Sequence, residues 1–202
     1  LEKRSVWQFT EKEGLLGNFS ITALQDKEGL IWLSTDKGVN IIDLKNKTNR
    51  ALTPQNGLSN PFVPHIYQDT KNNIWIGIGG GDGAGGVQII NADKTKISQL
   101  TGEQGLKEDT SGKIWLGCSD GLLYAYDEAN KLLEEFEVKK GNHILRNLLE
   151  DKQGQIWAGD YRNGLYKLDY KTGRPGNYGV NDGLTSMEYC TNSRWQHLDW
   201  HL

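Results

Sequence analysis

Gln25-Asp26-Lys27-Glu28-Gly29-Leu30-Ile31-Trp32 decides the reading of this chain. The same grammar returns at Gln68-Asp69-Thr70-Lys71-Asn72-Asn73-Ile74-Trp75, at Glu108-Asp109-Thr110-Ser111-Gly112-Lys113-Ile114-Trp115 and at Glu150-Asp151-Lys152-Gln153-Gly154-Gln155-Ile156-Trp157. The four tryptophans stand 43, 40 and 42 residues apart. A period of that length and regularity marks an array of supersecondary units, none of which can bury its hydrophobic face alone. Asp26, Trp32, Asp69, Trp75, Asp109, Trp115, Asp151 and Trp157 are accordingly structural repeat residues. Function belongs to whatever breaks the pattern.

Each Asp-x-x-Gly reads as a tight turn, with the carboxylate capping backbone amides and Gly, or Asn72 in the second unit, taking the left-handed conformation. Before it lies a short, partly apolar stretch such as Phe62-Val63-Pro64-His65-Ile66-Tyr67, read as a first strand that Pro61 and Pro64 deprive of ladder donors. The Ile-Trp pair opens a second strand, and a second turn follows at Asp36-Lys37-Gly38 or Ser119-Asp120-Gly121. A third strand alternates, as in Gly164-Leu165-Tyr166-Lys167-Leu168-Asp169, and a polar turn leads to a fourth such as Arg50-Ala51-Leu52-Thr53. Four strands in about 42 residues make a blade, and the fold class is an all-β propeller.

The expected organisation is a last strand of a preceding blade in 1–13, blades at 14–56, 57–104, 105–140 and 141–182, and the start of a further blade in 183–202. Two departures stand out. Gly105 lies only 10 residues before Trp115, against 18 between the corresponding residues of the first two units, so the first strand of the third unit is expected to be almost wholly absent. Either residues are skipped between about Leu106 and Lys107 or that blade is deformed. The chain also ends at His201-Leu202 inside what should be a hairpin. An open, incomplete ring is the expectation, with a closed ring of four or five blades as the alternative, because sheet edges must be sealed.

Composition agrees with short strands and many turns: 36% hydrophobic residues, 25 glycines and 7 tryptophans in 202 residues. A formal charge of −3, with no run of either sign, supplies no electrostatic footprint for nucleic acid. No apolar stretch approaches the roughly 18 residues needed to span a bilayer, so direct membrane insertion is not expected. Lacking an initial methionine, the chain reads as a processed or excerpted piece. Cys118 and Cys190 occupy non-equivalent repeat positions and read as two isolated thiols.

The pattern Gly-Leu, then Asp-x-x-Gly-x-Ile-Trp-x-Gly/Ser-x-x-x-Gly-Leu/Val-x-x-x-Asp resembles the two-component regulator propeller repeat over nearly the whole chain. Asn181-Asp182-Gly183-Leu184-Thr185-Ser186-Met187-Glu188-Tyr189 is similar to the atypical blade start found near the end of such propellers. The resemblance implies an extracytoplasmic or periplasmic sensor region of a bacterial hybrid two-component regulator. It further implies a non-enzymatic segment whose ligand is a glycan or similar small molecule and whose partner is the rest of the same signalling protein. Two alternatives come from other classes. Streptogramin-lyase-like propellers have comparable repeats and use a His with a divalent cation, and the same exposed loops could serve as a protein-interaction or homodimerisation scaffold.

Several chemistry-like motifs fail on context. Gly81-Asp82-Gly83-Ala84-Gly85-Gly86 satisfies GxGxxG but precedes Val87-Gln88-Ile89-Ile90, a strand and not a helix, so no dinucleotide cofactor is expected. Gly117-Cys118-Ser119-Asp120-Gly121 matches GxSxG but aligns with an ordinary second turn. His197-Leu198-Asp199-Trp200-His201 falls where a hairpin should be, and no metal is expected there.

Residues that do not repeat form the candidate ligand-binding set. Five positions before the turn Asp stand Ile21, Pro64 and Arg146; four before it stand Thr22, His65 and Asn147. If that strand lines the channel, Arg146, His143 and His65 lie at or near its mouth. Tyr161-Arg162-Asn163 replaces the usual Thr/Ser-Asp with an aromatic ring, a planar cation and an amide, a combination suited to polyols or acidic sugars. Asp82 is the one acid of an enlarged turn from Gly79 to Gly86.

Overall fold

The computed structural model describes residues 8–79, 86–101, 105–118, 121–127, 132–139, 143–169 and 172–187. Among these residues sixteen strands form four antiparallel four-stranded sheets, each built from consecutive strands. The first holds β1 (Ser20–Gln25), β2 (Ile31–Thr35), β3 (Gly38–Asp43) and β4 (Thr48–Leu52), and the second β5 (His65–Gln68), β6 (Ile74–Ile78), β7 (Gly86–Ile90) and β8 (Ile97–Thr101). The third holds β9 (Gly105–Glu108), β10 (Ile114–Gly117), β11 (Leu122–Asp127) and β12 (Leu132–Glu137). The fourth holds β13 (Leu145–Glu150), β14 (Ile156–Asp160), β15 (Gly164–Asp169) and β16 (Arg174–Tyr178).

The sheets stack face to face with their first strands in sequence, β1 beside β5, β5 beside β9 and β9 beside β13. Trp32, Trp75 and Trp115 each fill the space between their own sheet and the next. Trp32 joins a core with Leu58, Val63, Ile66 and Ile76 of the second unit, and Trp75 packs with Ile114 and Leu116. Trp115 packs with Leu145, Leu148 and Ile156 of the fourth. These three indoles are at most 1% exposed. Burial at roughly 25 cal/mol per Å² of apolar surface makes such inter-sheet layers the main source of stability in a repeat array.

One carboxylate organises every first turn. Asp26 Oδ1 accepts the amides of Glu28 and Leu30 at 3.0 and 2.9 Å while its Oδ2 accepts the Trp32 indole N–H at 2.9 Å. The same carboxylate-to-indole bond measures 2.7 Å at Asp69–Trp75, 2.7 Å at Asp109–Trp115 and 2.8 Å at Asp151–Trp157. Gly29, Asn72, Gly112 and Gly154 all have positive φ, which lets the turn close.

The third sheet corrects one expectation. Its inner strand is present, formed by Gly105–Glu108, with Leu106 opposite Leu116 and Glu108 opposite Ile114. Without it the edge of β10 would carry unpaired amides and carbonyls, so the Gly-Leu residues that lie in a connector elsewhere are drawn into the ladder. The connector before β9 shrinks to residues 102–104, where 53–64 precede β5. The strand read over Phe62–Tyr67 starts later than expected, at His65, just after Pro64. Of the last strand expected in 1–13, residues 1–7 lie outside the described ones, and residues 8–13 form no strand but end in a 3-10 turn at Glu11–Glu13.

Beyond the fourth sheet the stacking changes. Trp157 is half-buried, and its ring meets Tyr178 at 5.2 Å and the Lys167 ammonium at 4.9 Å. In the first three sheets the position of Lys167, opposite the repeat tryptophan, is held by Ile41, Ile89 and Ala125, which pack in the inter-sheet cores or against them. Among the described residues no fifth sheet covers this face.

Candidate functional site at the connector end of the sheets

Antiparallel connection of four strands puts the Asp turn at one end of each sheet, and the second turn together with the inter-sheet connector at the other. Backbone bonds tie these last two together: Asp36 N to Phe19 O, Gly79 N to Phe62 O and Tyr161 N to Ile144 O, at 3.2, 2.9 and 3.1 Å. In the first two units a buried amide on the third strand also holds the connector. Asn40 donates to Gly14 O at 3.1 Å and accepts from Leu16 N at 2.9 Å. Gln88 donates to Gly57 O and accepts from Ser59 N, both at 2.9 Å.

The fourth unit is built differently. Tyr166 stands where Asn40 and Gln88 stand, and its hydroxyl is buried with no hydrogen-bond partner among the described residues. Burial, and secondarily the charge of Asp160, raises its phenol above the ordinary tyrosine value. The connector is secured instead by His143, whose Nδ1 lies 2.6 Å from Asp160 Oδ2. Asp160, only 1% exposed, also accepts the Arg162 amide at 2.9 Å and the Asn163 side-chain amide at 3.1 and 3.2 Å. A buried carboxylate is tolerated because these donors replace its water.

Of the sequence-derived candidates, the structure brings His143 and Asn163 together through Asp160. Tyr161 and Arg162 flank them, the guanidinium carbon 5.3 Å from the Tyr161 ring centre. Arg146 lies in β13 at a bulge, between the pairs Leu145 with Asp160 and Asn147 with Gly159. His65 belongs to the second sheet opposite Gly77 and is 4% exposed, so it forms part of the wall and not of the surface. Asp82, and with it most of the enlarged turn, lies outside the described residues, as do Cys190, His197 and His201.

Asp160 was not among the candidates. Its signal is positional: three residues after each repeat tryptophan stand Thr35, Ile78, Cys118 and Asp160, and only the last is charged. No group of three or more His, Cys, Asp or Glu side chains placed to hold a metal ion occurs among the described residues. Among the described residues no helix is long and apolar enough to cross a membrane.

Residues 57–80 match the family described as two component regulator propeller. No curated protein matches the chain by sequence. Among solved structures, the extracellular domain assigned to a one-component system of B. thetaiotaomicron is 22% identical, with a TM-score of 0.68 over 82% of this chain and 24% of its own. One assigned to a hybrid two-component system of the same organism is 17% identical, with a TM-score of 0.70 over 91% of this chain and 25% of its own. The virginiamycin B lyase of Staphylococcus aureus is 12% identical, with a TM-score of 0.64 over 79% of this chain and 55% of its own. The chain thus spans about a quarter of the length of the two extracellular domains. The chain is a β-propeller segment with four stacked sheets among its described residues, and its residues 57–80 carry the match to the two component regulator propeller family.

Proposed function

We propose that this chain is part of the extracytoplasmic, ligand-sensing propeller of a bacterial two-component signalling protein, and that it binds a glycan or similar small ligand at the connector end of its sheets. The observation that carries the reading is the collection of repeat-breaking residues at that end of the fourth sheet: His143 and Asn163 on Asp160, flanked by Tyr161 and Arg162. Repeats that only pack have no use for an aromatic ring and a planar cation in a second turn beside an oriented imidazole on the connector. The family match and the likeness to extracellular domains of signalling systems support the sensor half. In this reading the segment binds and does not catalyse, and the rest of the same protein carries the signal onward.

Calorimetric titration of the chain with soluble oligosaccharides, neutral and uronic, tests the reading. Saturable binding that weakens at least tenfold in Tyr161→Ala supports it. Absence of saturable binding across both classes, in chain of verified fold, contradicts it.

A further inference from the structure

The proposed binding role leaves one arrangement unexplained, the burial of a charge at Asp160. In the first two units an uncharged amide, Asn40 or Gln88, ties the connector with two hydrogen bonds and no ionised group. A carboxylate at 1% exposure is a more expensive way to hold a loop, since an ion loses several kcal/mol of hydration on burial. That expense points to a use for the group that Asp160 orients.

Asp160 fixes His143 in one tautomer. At 2.6 Å from a carboxylate oxygen, Nδ1 carries the hydrogen and gives it to Asp160. Asn163 Nδ2 lies 3.1 Å from the same Nδ1, but a nitrogen already donating has no lone pair to offer, so the amide hydrogens go to Asp160 at 3.1 and 3.2 Å. With the ring neutral, Nε2 keeps its lone pair, and it has no hydrogen-bond partner among the described residues, on an imidazole whose side chain is 12% exposed. Behind the ring stands Tyr166, edge-on at 6.3 Å between centroids, its buried hydroxyl also unpartnered among the described residues. The result is an oriented acceptor backed by an unsatisfied hydroxyl.

We infer that His143 and Asp160 form a ligand-contacting dyad in which Nε2 accepts a hydrogen bond from a hydroxyl group of the bound molecule. Asp160 is its positioning residue. The neutral ring accepts and does not donate at Nε2, which selects a hydroxylated ligand over one that offers only carbonyl or carboxylate oxygens. The inference rests on the proposed binding function and assigns the chemistry of one contact within it.

Long-range proton–nitrogen NMR of the imidazoles in ¹⁵N-labelled chain, with xylobiose, cellobiose and mannobiose as probes, tests the dyad. His143 is expected to show a protonated Nδ1 and an unprotonated Nε2, and the Nε2 resonance to shift on titration with at least one disaccharide. His143→Gln retains a donor for Asp160 but lacks the imidazole acceptor, and is expected to weaken that binding about tenfold. Asp160→Asn is expected to release the tautomer preference and weaken binding similarly. A protonated Nε2, or unchanged affinity in a folded His143→Gln, overturns the dyad. A sugar that shifts Tyr161 and Arg162 while leaving His143 untouched overturns the dyad and leaves the binding function standing. If no disaccharide moves any of the three, both fall.

Discussion

Thr110 of the third sheet is joined twice to Glu150 of the fourth: its amide donates to Oε2 at 2.8 Å and its hydroxyl to Oε1 at 2.7 Å. The same clasp joins Thr70 to Glu108 at 2.9 and 2.7 Å, and a single bond of 2.9 Å joins Lys27 N to Gln68 Oε1. The residue after each turn Asp thus grips the residue before the next turn Asp, outside the hydrophobic layer that the tryptophans fill. Lys94 adds a cross-sheet tie in the first interface, 2.6 Å from Glu28 and 3.6 Å from Asp26.

Glu150→Ala is expected to destabilise the chain by about 1–2 kcal/mol, the range for losing hydrogen bonds to a partly exposed charged acceptor. Glu150→Gln keeps an acceptor and is expected to cost less than half as much. Urea unfolding with unchanged m-values checks both, and equal losses would contradict the clasp.

Trp115→Phe removes a donor from Asp109 and leaves a void in a layer where the indole is 1% exposed; a loss of about 2–4 kcal/mol is expected. Trp157→Phe breaks the equivalent bond in a half-buried setting and is expected to cost about 1 kcal/mol. Parallel thermal melts test the ordering. A larger loss at Trp157 would mean that its outer face is covered in solution.

Gly29 and Gly38 both have positive φ, at 89° and 134°, but their surroundings differ. An added Cβ at Gly29 meets nothing within 4 Å, whereas at Gly38 it would lie 2.6 Å from the Leu52 carbonyl oxygen. Gly29→Ala is expected to cost about 1–2 kcal/mol from backbone strain alone. Gly38→Ala is expected to cost more, because the clash adds to the strain, and denaturant midpoints of the two variants settle the comparison.

Burial pushes the Asp151 carboxyl up, but hydrogen bonds from Trp157, Gln155 and Gln153 and the charge of Lys167 outweigh it and hold the group below its ordinary value. A depressed folded-state value means that the contribution is present above the unfolded carboxylate range near about pH 4 and is lost as pH falls through the folded value. Asp151→Asn is therefore expected to flatten the acid limb of the stability–pH curve below about pH 4. An unchanged acid limb would contradict that contribution.

The architecture could be read in advance because turn and core use residues with few substitutes. An Asp that bonds two amides and an indole, a Gly or Asn at positive φ and a tryptophan between sheets repeat because each sheet poses the same problem. The clasp was visible as Gln68, Glu108 and Glu150, each one place before its Asp, yet a polar residue beside a turn reads equally well as solvated surface. The inner strand of the third sheet was missed for another reason. Gly105 and Leu106 keep the local pattern of a connector, and the need to pair the edge of β10 overrides that pattern. At the site, His143 and Asn163 stood out as repeat-breakers, but Asp160 is adjacent to neither in sequence and meets His143 only when β14 ends beside the connector. Burial of His65 depends on the second sheet's packing, which no local motif encodes.

The decisive measurement maps backbone and side-chain NMR shifts of the labelled chain during titration with an oligosaccharide. Binding at the connector end gathers the shifts on residues 143–144 and 160–164 and spares the Asp turns at 26–30, 69–73, 109–113 and 151–155. Shifts centred on those turns, or on the Trp157 face, would place the ligand elsewhere and contradict it.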